Sequence, residues 1–171
     1  MLMGAVLVAG VGGVSDLRSA RIPNWLTYSA ALAAMVLRAG LLGWLGLKEG
    51  VTGLLIAVLP FFLLFVIGAM GGGDVKLMSA VGAWAGASHV VQVLVAAALA
   101  GGFLAVLYTI FGQGIGQTFR NLCDLVRFRL ISGLHPHPVL NVRTTKALRV
   151  PFGVAIAMGT AFCAGNAIWW R

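Results

Sequence analysis

Charge is what this sequence has least of. Only 9% of its 171 residues are Asp, Glu, Lys or Arg, against about 25% in soluble domains, whose surfaces must be wetted. So little charge covers only a small surface, and most of the exterior must meet lipid. Acids are scarcest, with Asp16, Glu49, Asp74 and Asp124 the whole set. Cysteine is nearly missing: Cys123 and Cys163 stand alone, and no C-x-x-C pair exists to build a zinc or redox site. No serine sits in a G-x-S-x-G setting. His135 and His137 alternate with prolines that hold a loop extended. Neither a serine hydrolase nor a metal centre is expected, and no cofactor is implied.

What is present is apolar: 60% of the residues are hydrophobic, and the mean hydropathy is +1.00. The length suits one integral-membrane domain over 1–171. A net charge of +8 raises nucleic acid as a partner, but the basic residues fall in short gaps between apolar runs, where membrane proteins place cytoplasmic charge. Lipid, not nucleic acid, is the expected surroundings.

The charged residues punctuate the chain into spans. Between Glu49 and Asp74 lie 24 uncharged residues, interrupted only by Pro60, and between Arg149 and Arg171 lie 21. Each stretch fits one span of about 20 residues. The 43 uncharged residues between Lys76 and Arg120 fit two, with Gly86-Ala87-Ser88-His89 as their hairpin. Residues 24–45 make another, with Arg38 placed to snorkel outward. Residues 1–15 lack a basic n-region and a small-x-small cleavage site, so they read as a retained first span rather than a signal peptide. This run is short, which implies either a start further upstream or a helix tip drawn into the interface. Runs apolar on every side exclude the alternation of barrel strands, so helices follow. The expected fold is an all-α polytopic membrane protein of about six helices.

Orientation follows from charge. Arg18, Arg21, Lys76, Arg120, Arg127, Arg129, Arg143, Lys146 and Arg149 fall on one side of this topology, and Arg38, Lys48 and Arg171 on the other. The positive-inside rule makes the first side cytoplasmic, with both termini outside. The inner loop over about 112–149 is the one sizeable polar segment. Its 118–130 part fits either an interfacial helix on the anionic inner leaflet or a solvated connector.

In this topology Glu49 and Asp124 are wet, while Asp16 and Asp74 share one depth at the cytoplasmic end although 58 residues separate them. An ionisable group at a membrane segment is costly and points to function. Two close carboxylates cannot both ionise cheaply. The ionised one can take a proton from water while the protonated one polarises a carbonyl, which hydrolyses an amide without metal or covalent intermediate. The plainer readings are that Asp74, after Gly71-Gly72-Gly73, caps the next helix, and that Asp16 pairs with Arg18 or caps a short turn.

The words around these acids resemble a known family. SDLRSARIPNWLT (15–27) resembles the first aspartate motif of the type IV prepilin peptidases, with Ile22, Pro23 and Asn24 as its Ile-Pro-Asn. GGGDVKLMSAVGAW (71–84) resembles their G-x-G-D motif, with Gly71, Gly73, Asp74 and Lys76. VPFGVAIAMG (150–159) is similar to their third signature, Pro-Tyr/Phe-Gly-x-Ala-Ile. The resemblance implies a multi-pass inner (plasma) membrane aspartyl endopeptidase. It would cut short basic leaders from prepilin or pseudopilin substrates at the cytoplasmic face, with Asp16 and Asp74 as the catalytic pair. Lys76 either biases that pair or meets leader or lipid groups, or it is a snorkelling anchor. Larger members carry paired C-x-x-C motifs associated with N-methylation. Without these the chain is similar to the short form of tight-adherence (Flp-type) pili, and cleavage without methyl transfer is implied. A non-enzymatic transporter or scaffold of a secretion assembly is the rival reading, and a presenilin-like protease a third. The oligomeric state is not readable.

Overall fold

A computed structural model of the chain describes residues 1–68, 70–113 and 151–169. Among these residues every regular element is helical. In chain order they are α1 (Leu2–Ser19), α2 (Asn24–Val66), α3 (Gly72–Ala85), α4 (Ala87–Tyr108), which runs on into one π-helical turn (Thr109–Gln113), and α5 (Phe152–Trp169). Three helices, Leu2–Ser19, Asn24–Val66 and Ala87–Phe111, are long and apolar enough to cross a membrane. The 112–149 loop lies almost wholly outside the described residues, so its interfacial and solvated readings stay where the sequence left them.

The 43-residue α2 is not one rod. Gly43 has φ 62° and ψ −149°, a conformation that glycine reaches without strain, and the chain doubles back there. A Cβ at Gly50 would lie 2.8 Å from Arg38 Cδ and 3.2 Å from Met35 Sδ. In a straight helix those residues would stand about 18 Å apart or more, so the 24–42 and 44–66 arms lie side by side and antiparallel. Pro60 sits inside the second arm.

The 14-residue α3 runs through the middle. Val75, Leu77, Met78, Ala80, Val81, Ala83 and Ala85 are all buried, and the core joins them to Ala5 and Ala9 of α1, Ala57 and Phe61 of α2, Val90, Val93 and Ala97 of α4, and Ile156 and Cys163 of α5. A helix of this length, about 21 Å, is too short to cross alone and is characteristic of a buried core element. Outward-facing Leu7, Leu32, Leu41, Leu59, Leu99 and Phe162 are exposed, the inverse of a water-soluble surface and the arrangement lipid demands. Small residues line the helix contacts: Gly12 meets Leu77, Gly82 meets Ala57, and Gly101 meets Phe152. Such residues let backbones approach closely where no water drives association.

Arg38 departs from expectation. It does not snorkel outward but is 5% exposed, donating from Nε to Ala83 O at 2.9 Å and from Nη2 to Trp84 O at 2.8 Å. These carbonyls belong to the last turn of α3, which has no intrahelical donors of its own and favours a cation. Glu49, expected in a wet outer loop, instead stands in the second arm of α2 and is half-buried. Gly86, with φ 74°, ends α3 between these two charges, where a Cβ would lie 2.5 Å from Arg38 Nη2 and 3.0 Å from Glu49 Oε2. Replacing Arg38 with Leu strands two buried carbonyls and is expected to cost roughly 2–5 kcal/mol, read as a lower melting temperature in detergent. Unchanged melting of that variant would show that α3 is not held this way.

Candidate active site

The register of the bundle follows from which residues meet. Along α1 and α3, Gly4 lies against Trp84 and Gly12 against Leu77. The two helices are therefore antiparallel, and the C-terminal end of α1, with Asp16, reaches the N-terminal end of α3, with Asp74. Both acids are half-buried. Asp74 lies outside the three long spans, in the first turn of the short helix.

Asp74 is not the cap of α3. Gly71 holds that position in extended conformation, and Asp74 is the third helical residue. From there it reaches back to accept a backbone hydrogen bond from Gly71, the geometry of one half of a capping box. A Cβ at Gly71 would lie 3.3 Å from Asp74 Oδ2, so the glycine lets loop and carboxyl close together. Burial and, after it, the charge of Asp16 push the Asp74 carboxyl up to about 7, against the opposing Gly71 bond. The two acids thus act on each other electrostatically across 58 residues of sequence.

Asp16 does not turn to Arg18, which is exposed. Its Oδ2 accepts the backbone N–H of Gly153 at 2.9 Å, in the first turn of α5. The VPFG segment, to which the sequence assigned no contact, therefore touches one of the two acids. Its signal was present in the sequence as a glycine two residues after a proline, but nothing there says that its N–H meets Asp16.

The Ile-Pro-Asn segment locks the two acid-bearing elements together. α1 ends at Ala20, left-handed at φ 49°, and the following turn is held by Ser15 Oγ and Ser19 Oγ donating to Arg21 O at 2.9 and 3.2 Å. Ile22 packs on Gly73, where a Cβ would lie 3.3 Å from Ile22 Cβ. Pro23, at φ −64° and ψ 135°, starts α2. Lys76 Nζ donates to Asn24 Oδ1 at 2.9 Å and lies 5.3 Å from the Tyr28 ring centroid, within cation–π range. Lys76 thus ties the start of α2 to the start of α3. Asp16, Ile22, Pro23, Asn24, Gly71, Gly73, Asp74 and Lys76 all gather at one end of the bundle. No group of three metal-ligating side chains occurs among the described residues.

The profile of the type IV leader peptidase family matches residues 2–106, well over half of the chain and both acid-bearing segments. The chain belongs to the type IV leader peptidase family. No curated protein and no solved structure matches it. As a member of this family it is a membrane peptidase of the leader-peptidase type. The matched stretch ends before α5, so Gly153 enters this leader peptidase's site from outside it.

The Asp74 carboxyl, followed by carbon-13 labelling or its infrared C=O stretch, is expected to titrate with a midpoint near 7. Removing a neighbouring negative charge favours ionisation, so Asp16→Asn should lower that midpoint. A midpoint that ignores Asp16 would show that the two carboxyls are not coupled.

Proposed function

We propose that this leader peptidase is an aspartyl endopeptidase with Asp16 and Asp74 as its catalytic pair. It cleaves the short basic leader of prepilin or pseudopilin substrates at the cytoplasmic face of the inner membrane and transfers no methyl group. The observation that supports the reading is the convergence of two half-buried carboxyls at one end of the bundle, where α1 and α3 pack antiparallel, together with family membership.

In the reactive form Asp74 holds a proton and polarises the scissile carbonyl, while Asp16 takes a proton from the attacking water. With the Asp74 carboxyl pushed up to about 7, close to half the molecules carry that proton at neutral pH. The water oxygen bonds to the carbonyl carbon and the Asp74 proton passes to its oxygen. On collapse, Asp16 returns its proton to the leaving amine and Asp74 recovers one from the hydroxyl. General acid–base transfer of this kind needs both groups within hydrogen-bond reach of the reacting atoms.

The six helical segments of the described residues, counting both arms of α2 and with α3 as the short inner one, run alternately inward and outward in this reading, with both termini outside. Nine of the twelve basic residues then lie on the side of the acids, as the positive-inside rule requires. The substrate's apolar stem lies beside the bundle in lipid and presents its leader junction where water is plentiful. Anionic lipid and the charge of Asp16 offset the basic surroundings for a basic leader.

Membranes carrying the protein and a prepilin-like substrate provide the test. Asp16→Asn and Asp74→Asn should each abolish cleavage while insertion and expression persist, and Glu49→Gln, at the opposite end of α3, should leave cleavage intact. Wild-type cleavage by either Asn variant would sink the pair.

A further inference from the structure

Of the two carboxyls, Asp74 is held by its own loop, whereas Asp16 is held by a helix far along the chain. Gly153 is the second residue of α5, where backbone N–H groups have no partner within their own helix and favour a negative charge. Its N–H donates to Asp16 Oδ2 at 2.9 Å, across 137 residues of sequence. No side chain fits at this contact. A Cβ at position 153 would lie 2.9 Å from Asp16 Cβ, 3.0 Å from Oδ2 and 3.3 Å from Cγ. The approach is tight from the other side as well, since a Cβ at Gly13, one turn before Asp16, would lie 3.0 Å from Gly153 O and 3.2 Å from Ala157 Cβ. Backbone therefore meets backbone where α1 and α5 cross, and the Asp16 carboxylate is clamped at that crossing.

We propose that Gly153 is a positioning residue for hydrolysis: its N–H engages Oδ2 of Asp16 and leaves Oδ1 as the oxygen that takes the proton of the attacking water. This rests on the reading of Asp16 and Asp74 as the catalytic pair. It adds a reason for their unequal roles. A carboxylate with one oxygen bound to a fixed donor keeps its free oxygen in a single direction, and misplacing a reacting group by about 1 Å can cost a hundredfold in rate. α5 is then part of the active site, although the family match ends at residue 106.

Two changes at this position separate donor from space. Gly153→Ala adds a methyl group against Asp16. Glycolic acid at 153, which turns the amide into an ester, removes the N–H and adds no atom. The control is Gly165→Ala in the same helix, where a Cβ meets nothing within 4 Å. Purified proteins are compared on a prepilin-like fusion that the wild type cleaves, with activity normalised to folded protein. Both changes at 153 should lower kcat about ten- to hundredfold, the range for losing a hydrogen bond to a charged group, with KM unchanged, while Gly165→Ala matches wild type. Should Gly153→Ala fail to accumulate, the ester decides alone. Wild-type kcat in the ester, with Asp16→Asn inactive, would overturn the positioning role and leave the pair standing. A loss confined to the folded fraction would assign Gly153 to packing and overturn it equally. Cleavage by Asp16→Asn would instead remove the pair itself, and this role with it.

Discussion

Everything in this bundle depends on carrying a short helix through its centre with both ends answered. An α-helix leaves four N–H groups and four carbonyls without internal partners, and a hydrocarbon environment offers no water to take them up. For a long span these groups fall in the headgroup region. The 14 residues of α3 end sooner, inside the protein, so neighbouring helices must supply the partners. At the C-terminal end Arg38 does so, with two hydrogen bonds to the last turn. At the N-terminal end Asp74 and the Gly71 loop close on each other, with Asn24 and Lys76 tying that end to α2. At that N-terminal end the polar groups that such a helix requires are the ones to which the proposed chemistry is assigned. Asp74, by its one bond to Gly71, serves the helix end from within its first turn, a structural role that does not conflict with the proposed catalytic one.

Much of this was readable from residue placement. Apolar runs separated by charge imply helices, and every regular element among the described residues is helical. Asp16 and Asp74 stand out as acids at equal depth, and the three motifs mark the segments that converge. What escaped is long-range contact. Arg38 looks like any cation near a span end, and only the position of α3 shows that two carbonyls await it. Gly43 is one of 24 glycines, and nothing local distinguishes the one at which α2 folds back. The length of α3 was obscured because its apolar residues run on into α4 with only Gly86 between them. Gly153 sits in a recognisable motif, yet a backbone donor carries no side-chain signature and its partner lies 137 residues away.

The site is assembled from the whole length of the chain. α1 brings Asp16, the turn after it brings Ile22, Pro23 and Asn24, α3 brings Asp74 and Lys76, and α5 brings the Gly153 N–H. Close packing makes the distances between these groups depend on the bundle as a unit. Lys76, whose ammonium is shared between Asn24 and the Tyr28 ring, works here as a tie between two helix starts. That use is compatible with its place at the membrane edge, where a long side chain keeps its charge wet while its stem covers apolar surface.

The burial of Arg38 also has a consequence for biogenesis. Its acceptors, Ala83 and Trp84, are 45 and 46 residues later in the chain. While the ribosome is still making that segment, the two arms of α2 can close around Gly43, but the guanidinium between them has none of its carbonyl partners. Glu49, in the second arm, offers its charge, but the guanidinium N–H groups lack their carbonyl acceptors, and an ionisable group in lipid is costly. The α2 hairpin therefore lacks the hydrogen-bond acceptors of its own buried Arg38 until α3 is in place. It reaches its final packing only when α3 arrives, since the carbonyls that the guanidinium engages lie there. The order of synthesis thus places the hairpin before the helix whose carbonyls complete its polar contacts.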